Sequence, residues 1–376
     1  MQFSQSRINE TLDSCRRFWR GERREPMLSV ITCPAERQAT DIDAMVAAAA
    51  ARIAADASLD TALSLPCGSP DFGTISTARL YGGEVIPAHD GGGVHIKPVI
   101  TDRAQLGSLK PTLSFAESDF QCAILYTQRL SQAVGQPVFT RTPDLQGPLN
   151  TLALLMDQQQ LCTCFYDAPE LVDDALDAIT DVLIDHVRRY RETIGAERVV
   201  GNIWPFVILP DGKGIGITQD YMPMLSPKLY QRFEIPRLKR IAEAFGGVFI
   251  HCCGQYGQHV RNLAASGIEI LGMEMHAGAT DPEQVWAAFG DRIAYVPYIA
   301  PQANGRWKDL PDLLNQQAGK PCGQARWWVA TCHGWNDVDA LRRSLSRLGS
   351  AAVTRSVAID NAVGAMELAV TAKAGP

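Results

Sequence analysis

Apolar positions along the chain recur with two periods that alternate. Short runs rich in β-branched and aromatic residues, the strand signature, occur at Met27 to Cys33, Pro137 to Pro143, Arg198 to Trp204, Gly214 to Gln219, Val248 to Cys253, Ile268 to Met275, Ile293 to Ile299 and Arg326 to Thr331. Stretches with helical spacing separate most of them. These are Pro169 to Ile194, Pro227 to Phe245, Gln255 to Ala265, Pro282 to Phe289, Trp307 to Gln317 and Asp337 to Leu348, with an apolar helix also ending near Met156. Strands that alternate with helices imply parallel pairing, and eight such units predict a (β/α)8 TIM barrel. A typical barrel needs ~250 residues, so the surplus in 376 fits an N-terminal cap and inserted loops. A doubly wound open sheet is the alternative, but no GxGxxG follows the first strand.

The segment before the regular part is organised differently. Leu12, Cys15, Phe18 and Trp19 lie at helical spacing within Glu10 to Arg24, with Arg16, Arg17, Arg20, Arg23 and Arg24 between and beyond them as a solvated basic face. An alanine-rich helix is expected from about Asp41 to Ala55. From about Ser64 to Gln136, glycine and proline cluster at Pro66 to Gly73, Gly82-Gly83 and Gly91 to Gly93, which predicts turns and short hairpin pieces covering a binding face. Gly91 to Gly93 is no phosphate loop, because neither a Lys-Ser or Lys-Thr pair nor a helix follows it. His89, Asp90 and His95 read as surface residues. The division expected is 1–136 for the N-terminal helices, first barrel strand and cap, and 137–376 for the rest of one barrel domain.

Composition narrows the partners. With 46% hydrophobic residues the chain can bury a large core, yet no apolar run reaches the ~18 residues of a membrane span and the first residues form no apolar signal region. A soluble cytoplasmic protein is expected. A net charge of −6 without a basic tail argues against nucleic acid, and ten irregularly spaced cysteines argue for reduced thiols.

Candidate chemistry gathers at one stretch, Gly247 to Gly254. Alternation along a strand places His251 and Cys253 on one face and Cys252 on the other. Taken singly, each of these residues reads as core, but an imidazole and a thiol together at a strand end are two ligands of a zinc site that needs three. The best third candidate is Cys332, in the comparable run Arg326 to Gly334. In a barrel the active site lies at the C-terminal strand ends, where Asp144, His251, Cys253, Glu274 and Cys332 all fall. Gln146 follows Asp144, and Asp220 and Tyr221 follow the strand at Gly214, so these three are candidates for contacting substrate.

From Asp144 onward the chain resembles the uroporphyrinogen decarboxylase superfamily, which holds both a haem-pathway decarboxylase and corrinoid-dependent methyltransferases. The resemblance rests on Asp144 to Leu149, on Leu225 to Tyr230 with Ile235 to Ala242, and on Ile250 to Gly254. The His-x-Cys-Gly element is similar to the methyltransferase branch. That resemblance implies zinc on His251, Cys253 and Cys332, with His333 or Glu274 as substitutes for Cys332, and Glu274 as a displaced fourth ligand. It also implies methyl transfer between a thiol or similar small acceptor and a corrinoid. The carrier would be a separate protein, since no Asp-x-His-x-x-Gly signature is present. Asp144 and Gln146 would line the cavity. A metal-free carboxy-lyase and a non-catalytic barrel binding protein are the alternatives. The first is weakened because Glu25 to Ile31 stands where the decarboxylases carry an arginine-rich Met-Arg-Gln-Ala-Gly-Arg-Tyr run.

Overall fold

The computed structural model describes residues 3–23, 27–33, 41–57, 65–87, 94–202, 207–276, 278–299, 306, 310–317, 319–334, 352–354 and 360–361, with the backbone alone in 28–33, 310–311, 314–315, 330–334, 352–354 and 360–361. In chain order the strands are β1 (Met27–Cys33), β2 (Cys67–Gly68), β3 (Pro70–Asp71), β4 (Val85–Pro87), β5 (Val94–Ile96), β6 (Phe139–Thr142), β7 (Val199–Asn202), β8 (Ile215–Thr218), β9 (Val248–His251), β10 (Ile270–His276), β11 (Ala294–Ile299), β12 (Arg326–Gly334), β13 (Ala352–Thr354) and β14 (Asp360–Asn361). All eight strands expected from the hydrophobic pattern are present. The fold is the expected (β/α)8 barrel, with β13 added beside β1 and β2 beside β6.

The barrel wall is parallel. Seven strands run in the order β13-β1-β12-β11-β10-β9-β8 and three more in the order β2-β6-β7. A bridge between Gln146, just past β6, and Thr218 in β8 joins the two sets, and Asn202 Nδ2 donates to the Gly216 carbonyl at 3.0 Å across the same seam. Helices connect most strands, but β7 and β8 are linked through a 3-10 turn at Pro210–Gly212 rather than an α-helix within the described residues. Strands β8, β9 and β11 are buried along their whole length. Burial on both faces is what continuous Val/Ile/Tyr runs signal in a parallel sheet.

The outer helices follow from local sequence. In Pro169–Ile194, Val172, Ala175, Leu176, Ile179, Leu183 and Val187 are buried. These positions recur every three or four residues, so one stripe faces the barrel. Asp173, Asp177 and Asp181 form an i, i+4 row beside it. Arg237 reaches Asp173 at 2.8 Å and Asp177 at 3.0 Å, while Arg240 reaches Asp177 at 2.8 Å and also pairs with Asp181. This row registers the helix Ile235–Phe245 against its neighbour.

Three expectations need correction. The stretch Pro227 to Phe245 is two helices, Pro227–Phe233 and Ile235–Phe245, broken at Glu234 with a proline in the first turn of each. A proline has no N–H to continue the preceding helix, so Pro236 starts a new one. The segment from 64 to 136 contains the 16-residue helix Asp119–Val134, capped by the Ser118 hydroxyl and by Gly135 in the left-handed region. Its buried Phe120, Ala123, Ile124, Thr127 and Leu130 have helical spacing, masked by the glycines upstream. The same segment also supplies β2, which pairs parallel with β6. Its one hairpin, β4 with β5, is antiparallel as turns predict, and His95 in it is exposed. His89, Asp90 and the expected helix from Asp337 to Leu348 lie outside the described residues, as does most of the chain after Gly334.

Candidate functional site

Parallel register sets the site. Thr218 in β8 pairs with His251 in β9, and Ile250 pairs with Met273 in β10, which brings Glu274 beside His251. Further round, His276 pairs with Tyr298. One row of side chains therefore runs Gln146, Thr218, His251, Glu274 across four strand ends. Two residues farther along β8 and β9, with the same facing, come Asp220 and Cys253.

His251 is the centre of this row and is buried. Its Nδ1 is 2.5 Å from Glu274 Oε2, and its Nε2 faces Cys253 Sγ at 3.3 Å and Asp220 Oδ1 at 3.7 Å. Burial works against the imidazolium, but the Glu274 carboxylate, the Cys253 thiol and Asp220 favour it, and the net pKa stands well above the ordinary value. Glu274 is 1% exposed. Burial pushes its carboxyl up, yet the hydrogen-bonded imidazoles of His251 and His276 outweigh that and hold it below the usual range. Partial desolvation raises the Cys253 thiol, against the lowering effect of His251.

The ligand-capable atoms of Asp220, His251 and Cys253 lie within 4.8 Å of one another. Nitrogen, sulfur and carboxylate oxygen are all zinc donors. A histidine ligand normally gives its other ring nitrogen to a carboxylate that fixes tautomer and orientation, and Glu274 occupies that place on His251. The donor set therefore fits a zinc ion bound through Nε2, Sγ and Asp220.

A second polar chain lies on the β6 side. Asp144, 2% exposed, accepts from Thr218 Oγ1 at 2.9 Å and from Gln146 Nε2 at 2.8 Å. Burial lifts its carboxyl to about 6, against the charge of His251 and the Thr218 hydroxyl. Asn150 Nδ2 donates to Gln146 Oε1, and Asn150 Oδ1 accepts from Tyr221 N, both at 2.8 Å. The Tyr221 hydroxyl lies 3.8 Å from Cys162 Sγ rather than beside His251.

The expected site residues thus fall into two groups. His251, Cys253, Glu274 and Asp220 meet directly, and Asp144, Gln146 and Tyr221 form the adjoining chain. The backbone of Cys332 lies in β12 opposite Ile31, and its side chain, like that of His333, lies outside the described residues. Sequence reading passed over His276, whose Nδ1 is 3.1 Å from Glu274 Oε1 and whose ring stacks on Tyr298 at 4.7 Å. Its place two residues after Glu274 on one strand face was the available signal. It also passed over Asn150, Gln219 and Glu234, whose roles depend on contacts between distant segments.

A barrel with a His, Cys and carboxylate cluster at its C-terminal strand ends defines the class. The sequence profile of the family Uroporphyrinogen decarboxylase (URO-D) matches residues 72–296, and the chain belongs to that family. A solved structure of a methyltransferase from Methanosarcina mazei superposes with a TM-score of 0.61 at 15% identity, covering 96% of this chain and 98% of that one. At that identity the likeness is one of fold. No curated protein matches the chain. Among the described residues no helix is long and apolar enough to cross a membrane.

Proposed function

We propose that this barrel is a zinc-dependent methyltransferase moving a methyl group between a corrinoid on a separate carrier protein and a thiol or similar small acceptor. The observation that carries this reading is the convergence of Asp220, His251 and Cys253, with ligand atoms within 4.8 Å, on an imidazole whose other nitrogen is held by buried Glu274. The methyltransferase from Methanosarcina mazei that shares the fold over nearly the whole chain supports it. Bound zinc would supply Lewis acidity that deprotonates a coordinated thiol near neutral pH.

The chain's own residues have distinct parts in this reading. His251 and Cys253 hold the metal. The third position falls to Asp220 or to Cys332 from β12. Glu274 keeps the Nδ1 proton on His251, so that Nε2 presents its lone pair. Lying on the Nδ1 side of the ring and bonded also to His276, it orients the ligand rather than serving as the fourth ligand expected of it. Asp144 and Gln146 line the acceptor side, where Asp144, held near neutrality by burial, can take or return a proton. Tyr221 borders that side through Asn150.

Elemental analysis of the wild type and Cys253→Ser, purified without added metal, tests the reading. About one zinc per chain in the wild type and none in the variant is expected. Metal in neither sinks it. Asp220→Ala and Cys332→Ser, measured the same way, identify the third ligand. Metal-free decarboxylation of a carboxylated substrate is the second reading, favoured by the family match itself. The carboxylates of Asp144, Asp220 and Glu274 count against it, because they repel a substrate bearing several negative charges.

A further inference from the structure

We infer that Glu234, buried behind the site and touching none of the metal-ligating groups, is a positioning residue that fixes the Asp220 loop through the carboxamide of Gln219. Glu234 stands in the break between the helices Pro227–Phe233 and Ile235–Phe245 and is 0% exposed. Its Oε1 accepts from Gln219 Nε2 at 2.6 Å and its Oε2 from Leu149 N at 3.1 Å. Both donors are neutral amides. The nearby guanidinium of Arg237 is turned to Asp173 and Asp177 instead. A fully buried carboxyl served only by amides is an unfavourable way to stabilise a fold, and apolar packing would do better. Its value lies in geometry, since a carboxylate offers an acceptor to each of two donors arriving from different segments.

One donor comes from the loop that carries Asp220. Gln219 is the first residue beyond β8 and is 1% exposed. Its side chain is held at both ends, Nε2 by Glu234 and Oε1 by the Tyr230 hydroxyl at 3.4 Å. Its backbone N–H donates to the His251 carbonyl at 2.8 Å. Beyond Asp220, the loop is tied by Asn150 to Tyr221 N and by His259 Nε2 to the Met222 carbonyl, again at 2.8 Å each. Asp220 itself is more than a third exposed. Yet its Oδ1 accepts from Cys253 N at 2.6 Å and faces His251. A half-exposed carboxylate keeps such a position only if its backbone is anchored, and Gln219 is the anchor on the buried side.

The Cys253 amide reports this placement without any metal. Hydrogen–deuterium exchange of the metal-free protein, read on the peptide containing Cys253, is expected to speed up about tenfold in Glu234→Gln. Asp220→Ala should speed it similarly, and adding Glu234→Gln to Asp220→Ala should change it no further. A merely structural Glu234 would instead speed exchange in both backgrounds and across peptides remote from the loop. Unchanged exchange in Glu234→Gln, or additive effects, overturns the inference. Zinc affinity by chelator competition is the second readout and rests on the metal reading proposed above. Glu234→Gln should weaken it by roughly tenfold, the scale of outer-shell losses. If the wild type binds no zinc, the metal reading falls while the exchange result still decides the role of Glu234.

Discussion

Gly147→Ala is the sharpest test of how tightly the residues behind the site are packed. Gly147 caps the helix Pro148–Leu155 with φ −58 and ψ 161, a backbone any residue adopts, so glycine is not required there for conformational reasons. Space is the constraint. An added methyl would stand 2.2 Å from Gln219 Nε2, 3.0 Å from Glu234 Oε1 and 3.1 Å from the Thr218 carbonyl. The first contact cannot persist, so the Gln219 carboxamide must move and give up its bond to Glu234. Overpacking of this kind costs ~1–3 kcal/mol, and a buried carboxyl that loses a donor costs ~1–3 kcal/mol more. Reduced freedom of the unfolded chain returns ~0.4–1 kcal/mol. A net loss between about 1 and about 5.6 kcal/mol, centred near ~3, is expected, which at an m-value of roughly 3 kcal/mol/M lowers the urea midpoint by about 1 M. Gln219→Ala removes the atom in closest contact, so the double variant should be more stable than the two single losses summed, by ~1–2 kcal/mol. Relief stays partial because the contacts to Glu234 and Thr218 remain. A Gly147→Ala protein as stable as the wild type, or strict additivity with Gln219→Ala, refutes the packing argument.

Other consequences follow from the same contacts. Burial lifts the Glu234 carboxyl from 4.5 to about 7. A folded-state pKa above the unfolded one means that the native state holds the proton more tightly. This contribution to stability is therefore complete below about pH 4.5 and is lost as pH rises through 7, on the order of 3 kcal/mol in all. Glu234→Gln should flatten urea-derived stability between pH 5 and 7.5, and an unchanged slope would contradict the assigned environment. The Arg79–Asp119 pair is almost fully buried. Asp119→Ala leaves that guanidinium without its carboxylate and should destabilise by ~3–5 kcal/mol, whereas Arg79→Met with Asp119→Leu should recover much of the loss. Equal stability of the single and double variants would speak against it. His259→Ala frees the Met222 carbonyl and empties a fully buried site packed on Tyr230, so it should raise exchange at Met222 to Leu225 and also lower the melting temperature. Unchanged exchange in that loop would contradict the anchoring role of His259.

Most of the barrel was legible because its strands are continuous apolar runs and its outer helices are striped. The missed helix Asp119–Val134 carried both a serine cap and a glycine stop. Its signal was outweighed by the proline and glycine clusters before it, which do form the turns they promise. The break at Glu234 was also written in the sequence, since Pro236 cannot extend the preceding helix, but amphipathic periodicity continued through it. The two-residue strand β2 was not legible, because a Cys-Gly dipeptide has no pattern and pairs only since β6 lies beside it.

The site divides along the same line between local and distant information. His251 and Cys253 lie two residues apart on one strand end, so alternation alone places them together. Asp220 and Glu274 fell among the expected residues only as strand-end polar groups, and nothing in the sequence said which would reach the imidazole. That is decided by register. With Thr218 opposite His251, Asp220 comes level with Cys253. With Ile250 opposite Met273, Glu274 comes level with His251. A slip of one residue in either pairing would reverse the facing of the neighbouring strand and leave His251 without its carboxylates. The contacts that anchor this register, Gln219 N to the His251 carbonyl and Gln146 to Thr218, lie at the mouth of the barrel itself. The residues that hold the strands in phase and the residues that carry the chemistry are therefore neighbours. A substitution that loosens Gln219 or Glu234 is expected to disturb Asp220 before it disturbs the fold.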